Sequence, residues 1–169
     1  FTLPAILQAQ GSTQSSKYSA FSKDVAFMIM NAYDQYRQAN AIVATNTTPG
    51  ALSAYMNFVS VDTSTAQLVD GHPSSSVVAC SASTACLKLH NGGVLQLEAE
   101  NFNGSTTLNT IQFRFDPDGA YTGRQDSIQF ELYYDGSLKT RGNAKTNTTH
   151  SSSTFSGDSS YDPSWFTGL

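Results

Sequence analysis

Apolar or small residues recur at Tyr18, Phe21, Val25, Met28, Ile29, Ala32, Tyr36, Ala39 and Val43, in steps of three and four. That spacing places them on one face of a helix. Lys23, Asp24, Asn31, Gln35, Arg37 and Gln38 fill much of the other side. The pattern predicts an amphipathic helix from Tyr18 to about Val43, with its aromatic and Met-rich stripe lying against a sheet. Ahead of it, Leu3-Pro4-Ala5-Ile6-Leu7 reads as the end of an apolar stretch, and Gln8 to Ser16 are polar. Gly11-Ser12-Thr13 is poor helix interior, and a loosening or break is expected there. Pro49-Gly50 closes the helical region.

Beyond Pro49 the helical period disappears. Tyr55 to Val61 reads as a strand, and Asp62 to Asn91 as a loop-rich region that contains the two cysteines. Val94-Leu95-Gln96-Leu97-Glu98-Ala99-Glu100 alternates as a half-buried strand does, with Leu95, Leu97 and Ala99 on the inner face. Thr110 to Phe115, Ser127 to Tyr134 and Leu138 to Arg141 follow as further strands. Asp116-Pro117-Asp118-Gly119 carries type I turn chemistry, and Asp135-Gly136 is a two-residue hairpin signal. Thr146 to Ser160 is dominated by Ser and Thr and reads as irregular. The aromatic cluster at Tyr161, Trp165 and Phe166 is expected to dock back onto the rest of the chain. The fold class expected is therefore α+β: residues 1–44 as a long N-terminal α-helix, packed on an antiparallel β-sheet head formed by 45–169.

Composition narrows the class. At 169 residues the chain fits one core. A net charge of −4 with only 13% charged residues argues against a whole-molecule grip on nucleic acid. The hydroxyl-rich surface is that of secreted and cell-surface proteins. No apolar run approaches the roughly 20 residues that span a bilayer. Cys80 and Cys86 enclose five small residues, a spacing wrong for a zinc knuckle, and a local disulfide is the preferred reading. Such a bridge belongs to an oxidising compartment.

The order of these segments resembles a type IV pilin or a type II secretion pseudopilin. Leu3-Pro4-Ala5-Ile6-Leu7 resembles the step at which that family's hydrophobic helix continues into its amphipathic half, which Tyr18 to Val43 resembles in turn. Phe113-Arg114-Phe115-Asp116-Pro117-Asp118-Gly119, Ile128 to Leu132, and Tyr134-Asp135-Gly136-Ser137-Leu138-Lys139-Thr140-Arg141-Gly142 are similar to the C-terminal hairpins of GspH/FimT-like minor pilins, cyanobacterial pilin-like proteins coming closest. There are departures. Ala5 stands where the family has an acidic residue, no long apolar run follows, and Gly136-Ser137-Leu138-Lys139 replaces a Gly-Arg-x-Arg-like hairpin end.

The resemblance implies a structural subunit rather than an enzyme. Its membrane-spanning segment of about 20 residues is expected to have been removed, with inner-membrane anchoring before assembly into an extracellular filament. Other pilin or pseudopilin subunits are the partners implied. The subunit-packing helix is the one carrying Tyr18, Phe21, Val25, Met28, Ile29 and Tyr36.

Candidate chemistry is sparse. His72, His90 and His150 lie in loop-like sequence without a nucleophile or carboxylate pattern, and no phosphate loop or zinc-protease motif occurs. Asp116, Asp118 and Asp126 could offer oxygens to Ca2+, as a loop of some pseudopilins does, although a turn accounts for them as well; no other cofactor is expected. Arg114, Lys139, Arg141 and Lys145 form one modest basic cluster, and FimT-like pilins bind DNA through a basic C-terminal region. Lys on a strand edge also serves as protection against edge pairing. Asn46, Asn103 and Asn147 begin N-glycosylation sequons. A competing class is a secreted β-sandwich carbohydrate binder presenting Tyr121, Tyr133 and Trp165.

Overall fold

The computed structural model describes residues 3–71, 77–98, 101–102, 110–143 and 161–169; of residues 3–13 and Asn143 it describes the backbone alone. One helix, α1 (Leu3–Ala39), leads the chain. A short α2 (Pro49–Leu52) and a 3-10 turn (Ser53–Tyr55) follow. Eight strands come next among the described residues: β1 (Ser60–Asp62), β2 (Leu68–Val69), β3 (Val78–Ala79), β4 (Cys86–Lys88), β5 (Val94–Leu97), β6 (Thr110–Asp116), β7 (Ile128–Tyr133) and β8 (Leu138–Thr140). Six of them form an antiparallel sheet in the order β1-β4-β5-β6-β7-β8, and β2 and β3 pair separately. The chain is α+β, a long N-terminal helix packed on an antiparallel sheet.

Period and pleat explain the contact between these layers. Along α1 the buried positions are Tyr18, Ser19, Ser22, Val25, Ala26, Ile29, Ala32 and Tyr33, one stripe of a helix. Opposite them stand alternate residues of the central strands: Leu95 and Leu97, Ile111, Phe113 and Phe115, Ile128, Phe130 and Leu132. The register aligns Leu95 with Phe115 and Phe115 with Ile128, so these side chains share the helix-facing side. Leu52 at the end of α2 closes the same core. Thr48 caps that short helix, its hydroxyl accepting the Ala51 N–H at 3.2 Å, with Pro49 in the first turn.

Several expectations need correction. The helix runs unbroken through Gly11-Ser12-Thr13, because one helix-poor triplet costs little inside 37 residues of continuous hydrogen bonding. It stops at Ala39 rather than near Val43, which is exposed. Tyr55 belongs to the 3-10 turn, and the strand begins only at Ser60. Val94 to Leu97 is buried on both faces, not half-buried, because β2, β3 and the disulfide loop cover the second face near Cys86 and Val94. The Tyr134-Asp135-Gly136 connection is a three-residue loop. Tyr133 N–H bonds to the Ser137 carbonyl, and Gly136 takes φ +89°, which a side chain would strain. Asp116 to Gly119 opens the eleven-residue connection between β6 and β7. Ala99 and Glu100 lie outside the described residues.

The C-terminal residues dock as expected. Trp165 is buried edge-on against Tyr18, and its indole N–H donates to the Asp126 carbonyl at 2.9 Å. Asp162 accepts from the Thr140 hydroxyl and the Gly142 N–H. The tail therefore joins the last strand to the lower part of the helix that touches the sheet.

Candidate functional site

Among the described residues, two places carry charge or exposed apolar surface that packing alone does not explain. One is an acidic centre at the end of β6, the other the outward side of α1.

The acidic centre contains Asp70, Asp116, Asp118 and Asp126, each with a carboxylate oxygen within 4.8 Å of the others. Asp116 is the last residue of β6, facing away from the helix, and is wholly buried. Its two oxygens accept the Asp70 N–H at 2.8 Å and the Asp118 N–H at 3.3 Å. Asp70, also wholly buried, follows β2 and grips the loop after β6. Its carboxylate accepts the Thr122 hydroxyl at 2.7 Å, the Thr122 N–H, and the Gly123 N–H at 2.9 Å. Asp126 Oδ1 is closed to solvent without a partner. Gly119 permits the close approach here. With φ +75°, it leaves room where an added Cβ would stand 2.3 Å from the Gly92 carbonyl oxygen.

Burial, reinforced by the Asp118 and Asp70 carboxylates and opposed by the Asp70 N–H, pushes Asp116 up to about 8. Burial and then the Asp118 and Asp70 charges push Asp126 up to about 6. Carboxylates crowded this way either share protons or take a hard cation with oxygen preference. Asp116, Asp118 and Asp126 were legible as a group because they lie within eleven residues. Asp70 was not, since the chain brings it in from 46 residues upstream with no local motif.

Among the described residues, Arg114, Lys139 and Arg141 do not form one exposed patch. Arg114 is 7% exposed, in mid-sheet, with Glu98 at 3.7 Å. Arg141 is half-buried, donates to Gln129 Oε1 at 3.4 Å and lies over the Tyr161 ring. Lys139 is exposed and pairs across the strands with Glu131. Glu131 itself is wholly buried, which pushes it up to about 7, against the pull of Arg141. Lys145 lies outside the described residues, as do His72, His150 and the sequons at Asn103 and Asn147. His90 is exposed, its Nε2 3.2 Å from Asn57 Oδ1. Of the three candidate sugar-stacking aromatics, Trp165 is spent on the core and Tyr133 is half-buried; Tyr121 is exposed. The disulfide Cys80–Cys86 is present, with Cα atoms 5.7 Å apart and both residues buried.

The helix divides its faces cleanly. Tyr18, Val25 and Ile29 are buried in the chain's own core, with Phe21, Met28 and Tyr36 at its margin. Lys17, Ala20, Asp24, Phe27, Asn31, Asp34 and Gln38, again spaced by three and four, are all exposed. Phe27 stands out at 61% exposed. A groove of about 490 Å³ runs beside it, between α1 and the turn joining β4 to β5, lined by Phe27, Met28, Tyr55, Leu89 and His90 among others. The alternation of Phe27 with polar residues at this period was the available sequence signal.

Compared with models of protein families, with curated proteins and with solved structures, the chain matches none of them.

Proposed function

We propose that this chain is a structural subunit, a minor pilin or pseudopilin, of a type IV pilus or type II secretion filament. The observation that carries the reading is the division of α1. A helix of 37 residues is about 55 Å long. Among its described side chains the first to enter the core is Tyr18, and from there one stripe is spent on the chain's own sheet. The opposite stripe, with Phe27 at its middle, stays exposed, with Asp34 paired to Arg37 and Lys17 over the Phe21 ring along the helix itself. Singly exposed aromatics are common, but one centred on the free face of so long a helix, beside a groove, suits helix-to-helix assembly.

In this reading an apolar segment joined to the N-terminal end of α1 holds the subunit in the inner membrane and then enters the filament core. The sheet, disulfide loop and docked tail form the outward surface. The buried guanidinium of Arg114 weighs against DNA binding as the main role, because phosphate contacts need accessible cations. Of the three aromatics considered for a carbohydrate surface, the burial of Trp165 and the half-burial of Tyr133 leave only Tyr121 exposed.

The test is incorporation. Joined to an apolar helix of about 20 residues, the chain is expected to enter filaments of a host system, and Phe27→Asp to reduce entry at least tenfold while leaving the melting temperature unchanged. Efficient entry of the chain without an apolar segment, or full entry of the Phe27→Asp variant, would overturn the reading.

A further inference from the structure

We draw no further inference here: the strongest candidate, the buried polar layer on the outer face of the sheet where Arg114 Nε and Nη1 and Glu131 Oε2 lack partners, carries nothing because nothing among the described residues shows what covers it.

Discussion

Asp70 and Asp116 are linked by the Asp70 N–H bond to the Asp116 carboxylate, and between them they hold the β6–β7 connection by side-chain acceptors. Their arrangement has a consequence for pH. A carboxyl whose folded value is raised binds its proton more tightly in the folded chain. Its stabilising contribution is complete below the unfolded value near 4 and is lost as pH rises through the folded value. With Asp126 at about 6, Glu131 at about 7 and Asp116 at about 8, stability should fall progressively between pH 5 and pH 8.5. Thermal melting across that range in the presence of EDTA checks this, and Asp126→Asn should remove the lower part of the slope. Added calcium is expected to leave the melting curve unchanged. A calcium-dependent rise at pH 8 would instead make the acidic centre a cation site. Residue-scale legibility was partial: the turn chemistry of Asp116 and Asp118 was readable, whereas the burial that raises Asp116 depends on Asp70 and on the cover of the sheet, neither encoded nearby.

The elements were easier to read, and the errors fall where local preference lost to context. The helix between Tyr18 and Ala39 followed from its period. Its continuity through Gly11 did not, because propensity is a weak prior against cooperative hydrogen bonding. The double burial of β5 escaped because β2, β3 and the disulfide loop return over a strand that alternation alone makes one-sided. Two consequences belong at this scale. Reducing Cys80–Cys86 should add two hydrogens to the intact mass and lower unfolding free energy by about 2 kcal/mol in the chain-entropy description, read from urea denaturation. Trp165→Ala removes the ring that joins Tyr18 to the Asp126 carbonyl and should cost about 3 kcal/mol. A cost below about 1 kcal/mol, the worth of an ordinary hydrogen bond, would mean that the tail adds little to the core.

For the whole molecule, the division of labour along α1 links fold to role. The inner stripe packs within the chain and the outer one is exposed, so the sheet fixes the helix by one side; in the proposed reading the other side meets a neighbour. The order of helix and hairpins made this plan visible in the sequence. The period of Tyr18, Phe21, Val25, Met28, Ile29 and Tyr36 already placed that stripe against the sheet, and Phe27 falls outside it. The most direct measurement is disulfide trapping in membranes, using the chain joined to an apolar N-terminal helix and carrying Phe27→Cys. A matched variant with Val61→Cys, on the exposed edge strand β1, is the control. Oxidation is expected to link subunits through position 27 and not through position 61. Linkage at 61 alone, or at neither position, would contradict assembly through the outer face of the helix.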